Sequence, residues 1–327
     1  MATKKQISDL IKYAINNDKE RLFDLSKEII RNEKNPKIAD EIHDIIRFGE
    51  TQVSPQGKLT MAETTVLPDK DSREFLYQIL HSEYRLKELV LPPQSKKKLS
   101  RWIQELKNIS FLSGFKIPLE TKGIFYGPTG TGKTMAAYCI AHELNKPLFI
   151  VNLSSIISSK LGETSRNLNY VFQVAQERDA ILFLDELDFF AMARDSIQDH
   201  GEARRALLSL LQILDLIPQD LIVIAATNLI ESVDPSILRR FGFRLEFKIP
   251  TKHEIETFIT QLKESYKLPI NNRDLPSIAH HFSKHSYGDI RNTMLGALKL
   301  KLIVDRDTRN TKKIQLTLKD IKEFGAD

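Results

Sequence analysis

Gly127-Pro128-Thr129-Gly130-Thr131-Gly132-Lys133-Thr134 decides the fold of this 327-residue chain. The eight residues match G-x4-G-K-[ST] without a departure. They follow the apolar run Ile124-Phe125-Tyr126 and lead into Met135 to Leu144, a helix-compatible segment. Strand, glycine loop and helix in that order are the setting a phosphate-binding loop requires. Gly127, Gly130 and Gly132 lack a Cβ, so the backbone can take positive φ and turn several N–H groups towards one anion. The helix start that follows adds its partial positive charge. Lys133 is placed to reach β- and γ-phosphates, and the hydroxyl of Thr134 suits a magnesium ion.

Around this loop, the segment from about Thr121 to Pro250 alternates apolar strands with helices. The strands read as Gly123–Tyr126, Pro147–Leu153, Ala180–Leu184, Leu221–Ala226 and Arg244–Ile249. The helices between them centre on Ala137, Val171, Leu207 and Ile237. Continuous apolar strands are those buried on both faces, so the segment predicts a doubly wound parallel sheet. Ligands bind such sheets at the carboxyl ends of the strands. The remaining motifs map there or close to it.

The third strand runs out as Ile181-Leu182-Phe183-Leu184-Asp185-Glu186-Leu187-Asp188. Asp185 is placed to hold magnesium, directly or through water, and Glu186 to orient and deprotonate an attacking water. The fourth strand runs into Thr227-Asn228, whose amide can bond a γ-phosphate or the lytic water. Taken alone, an Asn after a strand is most often a turn residue. Asp234-Pro235-Ser236-Ile237-Leu238-Arg239-Arg240-Phe241-Gly242-Phe243-Arg244 then brings three arginines close together, either as surface charge or to stabilise phosphoryl transfer. Ser286-Tyr287-Gly288-Asp289-Ile290-Arg291 opens a later helix. There Gly288 permits close approach, and Arg291 can point back at phosphate.

In this order the motifs resemble the AAA+ ATPases, specifically their protein-remodelling branch, from about Leu86 to the C-terminus. The resemblance implies an α/β P-loop NTPase with a five-stranded parallel sheet in the order 5-1-4-3-2 and a helical lid. It implies ATP and Mg2+ as cofactors and Gly127, Pro128, Thr129, Gly130, Thr131, Gly132, Lys133, Thr134, Met135, Gly288 and Arg291 as nucleotide-binding residues. Thr134 and Asp185 are then the metal ligands and Glu186 the catalytic base. Asn228 is the sensor-1 residue, and Arg239 and Arg240 are arginine fingers that complete a neighbour's site in a homo-oligomeric ring, commonly a hexamer. Arg244 matches a third arginine with a structural role, and Arg291 stands where other branches carry a sensor-2 arginine. The pore loop expected after the second strand is Ser158-Ser159-Lys160-Leu161-Gly162-Glu163-Thr164, with Lys160 in place of the usual aromatic residue. The stretch Arg194 to Gly201 matches a second pore-facing loop, with Arg204 and Arg205 at the start of the next helix.

Domain organisation reads as an all-α N-terminal bundle over 1–48, a linker over 49–72, the α/β domain with its helical lead-in over 73–250, and the lid over 251–327. In the bundle, apolar residues recur at helical spacing in three short segments. It is an adaptor candidate, with a protein client or partner protease as its expected ligand. Softer stretches such as GEARRALLSLLQ resemble stand-alone bacterial AAA proteins that accompany a subtilisin-like protease. Helical character is expected from Arg73 through Leu80 and again over Ser95 to Lys107.

Composition excludes several classes. The chain is 41% hydrophobic and 28% charged, and Lys plus Arg exceeds Asp plus Glu by only 48 to 43. That excess is a weak signal for nucleic acid, and the cluster Lys96-Lys97-Lys98 with Arg101 reads as a solvated helix face. The single cysteine, Cys139, lies in an apolar helical stretch and reads as core packing. No run reaches a membrane span and the N-terminus has no apolar signal core, so the cytoplasm is expected. His142-Glu143 lacks the second histidine of a zinc protease, and Asn145-Lys146-Pro147-Leu148 lacks the aspartate of a guanine-reading motif. An ATP-hydrolysing ring that remodels or delivers a protein is the leading reading; a nucleic-acid loader or transposition helper and a slow nucleotide-dependent switch are the alternatives.

Overall fold

A computed structural model of the chain describes residues 59–66, 75–115, 117–151, 153, 156, 163–188, 200–218, 220–306 and 315–324. The expected N-terminal bundle (1–48), most of the linker and the pore-loop stretch Lys160-Leu161-Gly162 lie outside these residues. The chain divides into two compact units, Met1–Met61 and Ala62–Asp327. The second unit carries the helices and the sheet, apart from Leu59–Met61 of the first strand.

Its strands are β1 (Leu59–Val66), β2 (Phe75–Ser82), β3 (Lys122–Tyr126), β4 (Leu148–Val151), β5 (Ile181–Leu184), β6 (Val223–Thr227) and β7 (Phe243–Glu246). Its helices are α1 (Pro93–Lys107), α2 (Ile109–Ser113), α3 (Lys133–Leu144), α4 (Glu163–Glu177), α5 (His200–Leu216), α6 (Pro235–Leu238), α7 (Lys252–Tyr266), α8 (Leu275–His281), α9 (Tyr287–Arg306) and α10 (Leu318–Phe324). The strands lie in the order β1-β2-β4-β5-β6-β3-β7. Neighbours from β4 to β7 are parallel, while β2 runs antiparallel to β4 with Tyr77 opposite Val151 and Leu80 opposite Leu148.

The sheet is therefore mixed and wider than the five strands expected. Helical character is expected from Arg73 through Leu80, but residues 75–82 form a strand. Tyr77 and Ile79 bury side by side against the sheet, and Tyr77 stacks on Phe149 with centroids 5.0 Å apart. Residues 59–66, read as linker because they are polar, are the outermost strand. Their Thr64-Thr65-Val66 run favours extended backbone.

Both faces of the parallel strands are covered, which is why their sequences read as unbroken apolar runs. Leu182, Leu184, Val223 and Ala225 face a core shared with α4 and α5. Ile181, Phe183, Ile222, Ile224 and Ala226 face the opposite core with α1 and α3. The alternation is the two-residue period of a strand. Trp102 of α1 anchors the second core: it stacks on Phe243 at 4.1 Å, meets Phe125 edge-on, and donates from Nε1 to the Glu120 carbonyl at 2.5 Å. Cys139 is fully buried there, as its sequence setting implied. The helices after β7 have a core of their own, built on residues such as Ile255, Ile259, Phe282, Ile290 and Met294. Among the described residues, no helix is long and apolar enough to cross a membrane.

Candidate functional site

At the carboxyl end of β3 the chain turns through Gly127, Gly130 and Gly132, with φ of 137°, 75° and 105°. These are the positive-φ glycines among the described residues, at the positions the loop pattern requires. Gly127 lies so close to the end of β7 that a Cβ there would fall 1.9 Å from the Phe247 carbonyl oxygen. Thr131 steadies the loop by donating from its hydroxyl to the Pro128 carbonyl at 2.7 Å. Gly132 is the left-handed N-cap of α3 and supplies no capping side chain, so the first-turn N–H groups of α3 remain open to an anion.

Lys133 is buried at the first turn of α3. Its Nζ donates to the Gly127 carbonyl at 2.7 Å, the Pro128 carbonyl at 3.0 Å and Asn228 Oδ1 at 2.8 Å. Burial pushes the ammonium below its ordinary range, against the attraction of Asp185 and Asp188. Asn228 follows β6 directly, so the two motifs meet across adjacent strands. Asp185 emerges at the end of β5. Burial raises its carboxyl, opposed by the hydrogen bond from the Glu186 N–H at 2.9 Å and by the nearby Lys133 charge. Glu186 itself is exposed and holds φ of 56°, a conformation that non-glycine residues adopt only at a cost and that recurs at functional sites. Asp188 is buried with Oδ1 unpartnered among the described residues, a feature that has no signal in the letters.

This arrangement fits a nucleoside triphosphate with magnesium. The three glycines turn the loop at positive φ in front of the uncapped start of α3, and the Lys133 ammonium sits against the loop's own carbonyls, a cation beside open N–H donors. Thr134 in the first turn of α3 and Asp185 supply one hydroxyl and one carboxylate. Magnesium suits so sparse a protein set, since it takes its remaining oxygens from phosphate and water. Among the described residues, no cluster of three or more His, Cys, Asp or Glu side chains offers a metal cage.

The start of α9 closes on the same loop. The Gly288 N–H donates to the Gly130 carbonyl at 3.0 Å, while Ser286 and Asp289 cap the helix by bonding one another, with Ser286 Oγ donating to Asp289 Oδ2 at 2.7 Å. Arg291 of α9, for which a turn towards phosphate is expected, donates from Nη2 to the Tyr266 hydroxyl of α7 at 2.9 Å.

The three arginines of the 239–244 segment lie at the other end of the sheet. Phe243 stands opposite Gly123 and Glu246 opposite Tyr126, so Arg239 and Arg240 precede the amino end of β7 while the phosphate loop follows the carboxyl end of β3. Arg239 is exposed. Arg240 pairs with Asp215 of α5, a partner sequence reasoning missed. Arg244 donates to the Leu238 and Phe241 carbonyls, at 2.6 Å and 3.3 Å, as a structural role requires. On α1, Lys98 donates to the Arg244 carbonyl at 2.5 Å, and Lys97 and Arg101 are exposed.

Comparison with known proteins agrees with this geometry. Residues 123–249 match the family model of AAA, the ATPase family associated with various cellular activities. An uncharacterized AAA family ATPase of Sinorhizobium fredii is 30% identical over 270 residues, covering 83% of this chain and 79% of that protein. A putative 26S proteasome regulatory subunit homolog of Methanocaldococcus jannaschii is 31% identical over 202 residues, 61% of this chain and 54% of that protein. The corresponding homolog of Methanothermobacter thermautotrophicus is 29% identical over 208 residues. The chain thus spans about half the length of these two archaeal relatives. The FIGL-1 AAA domain, solved in complex with ADP, shares the fold at a TM-score of 0.62 and 22% identity, over 87% of this chain and 89% of that one. The chain belongs to the AAA family of ATPases and carries an ATP-hydrolysing domain.

Proposed function

We propose that this ATPase works as a ring, in which Arg239 and Arg240 of one subunit complete the site of the next and hydrolysis drives the remodelling or delivery of a protein partner. The observation that carries the reading is the separation of the arginines from their own phosphate loop. The three steps of β3 from Gly123 to Tyr126, at about 3.3 Å each, put roughly 10 Å of strand between the two ends of the sheet. The arginines lie beyond one end and Lys133 beyond the other. A pair that turns away from its own nucleotide is suited to a neighbour's.

Within one site the roles divide by position. The glycine loop and the open first turn of α3 bind the phosphates, and Lys133 shifts its ammonium from the loop carbonyls towards the β- and γ-oxygens. Asn228, already bonded to that ammonium, orients the terminal phosphate or the attacking water. Glu186 accepts the water's proton as the water oxygen bonds to the γ-phosphorus and the bond from that phosphorus to the bridging oxygen breaks, leaving ADP and phosphate. Thr134 and Asp185 would hold magnesium, which would supply neutralisation of the phosphate charge. Gly288, bonded to Gly130, couples the loop to the helical lid, and nucleotide entry draws Arg291 from Tyr266 towards phosphate.

A protein client is favoured by the similarity to proteasome regulatory subunit homologs, and residues 1–48 are the proposed docking module for that client or for a protease. The test is ATP turnover of the full chain alone, with an unfolded polypeptide, and with single- or double-stranded DNA in one buffer of fixed salt. Stimulation by polypeptide supports the reading. Stimulation by DNA alone replaces it with a nucleic-acid role and turns attention to Lys96 through Arg101.

A further inference from the structure

The turn that carries the arginines is fastened from two sides. Arg240 commits its whole guanidinium: Nε donates to Asp215 Oδ1 at 2.7 Å, Nη2 to Asp215 Oδ2 at 2.5 Å, and Nη1 to the Ser236 carbonyl at 2.7 Å. A two-pronged arginine–carboxylate pair fixes direction as well as distance. Arg244 commits Nη2 and Nε to the carbonyls of Leu238 and Phe241 from the other side. Beneath the turn, Ile237 and Phe241 are buried. Between the two fastened arginines, Arg239 is exposed, and its side chain has no polar partner among the described residues.

Asp215 is itself well placed to hold. It lies in the last turn of α5, where the preceding Leu214 carbonyl accepts a hydrogen bond from Lys122 Nζ at the start of β3. The arginine turn is thus tied to both a helix end and the first residue of the strand that leads to the phosphate loop. Arg240 keeps the Asp215 carboxyl below the usual carboxylate range, so the pair stays charged at neutral pH.

We infer that Asp215 is a positioning residue: it clamps Arg240 to α5, and the fastened turn presents Arg239 as the arginine that contacts the neighbouring subunit's phosphate. This rests on the ring reading above and divides the two arginines, one for contact and one for aim.

The test compares full-chain variants Arg239→Ala, Arg240→Ala, Asp215→Asn, Asp215→Glu and the double Asp215→Asn/Arg240→Ala, measured for kcat, ATP affinity and melting temperature at ring-forming concentration. Arg239→Ala is expected to lower kcat by about 1,000-fold with ATP affinity unchanged, the scale of a lost arginine finger. Asp215→Asn and Arg240→Ala are each expected to lower kcat by about tenfold, as a misplaced group does, with affinity unchanged and melting within about 2 °C of the parent. The double variant should be no slower than either single, because both remove one clamp, and Asp215→Glu should recover most of the rate. The inference is overturned if Arg240→Ala loses about 1,000-fold while Asp215→Asn keeps the parent rate, or if the double multiplies the two single losses. Mixing Arg239→Ala subunits with Glu186→Gln subunits separates the two claims. Recovered turnover upholds action across the interface, and a mixture that stays inactive removes the ring reading beneath the inference.

Discussion

Replacing Gly127 by alanine should destabilise the chain more than the same change anywhere else in the phosphate loop. At φ of 137° an alanine is strained by about 1–3 kcal/mol. The added Cβ falls 1.9 Å from the Phe247 carbonyl oxygen and 2.9 Å from its carbon, both backbone atoms. Moving them apart means giving up the Gly127 N–H bond to the Thr227 carbonyl at 3.3 Å, or the Phe247 N–H bond to the Tyr126 carbonyl at 2.7 Å. Each such bond is worth about 1 kcal/mol net. The total is about 2–4 kcal/mol, or a fall in melting temperature of roughly 4–16 °C for a domain of this size. Gly132→Ala is the control, since its φ of 105° is strained but the nearest neighbour of the new Cβ, Leu89 Cδ1, is 3.6 Å away. It should cost about 1–2 kcal/mol. Gly130→Ala falls between, because the colliding Ser286 Oγ at 2.4 Å is a side chain that can turn. Thermal and urea unfolding of the three variants settle the order. A Gly127→Ala protein that melts within about 2 °C of the parent, or above Gly132→Ala, refutes the reasoning.

Three further outcomes follow from the same geometry. Glu186→Gln should lower kcat by about 100- to 10,000-fold while ATP binds as before, read by single-turnover hydrolysis and equilibrium binding; hydrolysis at the parent rate would remove Glu186 as the base. Trp102→Ala empties the stack on Phe243 and strips the Glu120 carbonyl of its donor, so urea unfolding should report a loss of about 3–5 kcal/mol, and a loss under about 1 kcal/mol would contradict this. Because Arg240 holds the Asp215 carboxyl below its usual range, the clamp is complete above the unfolded value of about 3.9 and fails only as pH drops through the lower folded value. The ratio of kcat between the parent and Asp215→Asn should therefore stay constant from about pH 6 to pH 9; a ratio that changes severalfold over that range would mean another group titrates with the clamp.

Much of the site was legible because its causes are local. The glycines at 127, 130 and 132 announce a backbone that no side chain tolerates, and Ile181 to Leu184 announce a strand buried on both faces, so the acids after it had to emerge at the sheet's edge. Where contacts are distant, the sequence was mute or misleading. Leu76, Ile79 and Leu80 imitate a helix face, and only pairing with β4, some seventy residues on, makes them a strand. Nothing in the letters links Asp215 to Arg240, or Arg291 to Tyr266, because a helix end and a turn come together only in the fold. The same long reach explains why Arg239 and Arg240, adjacent in sequence, differ so plainly in what they touch.

The central claim, that one subunit's arginines finish another's site, is tested most directly by ATP turnover per subunit as protein concentration rises from nanomolar to micromolar. The account predicts a rate per subunit that climbs steeply and saturates as rings assemble, with the rise abolished in Arg239→Ala. A rate that is flat across the whole range, and equal to the saturated value, would show that each chain hydrolyses ATP alone and would contradict it.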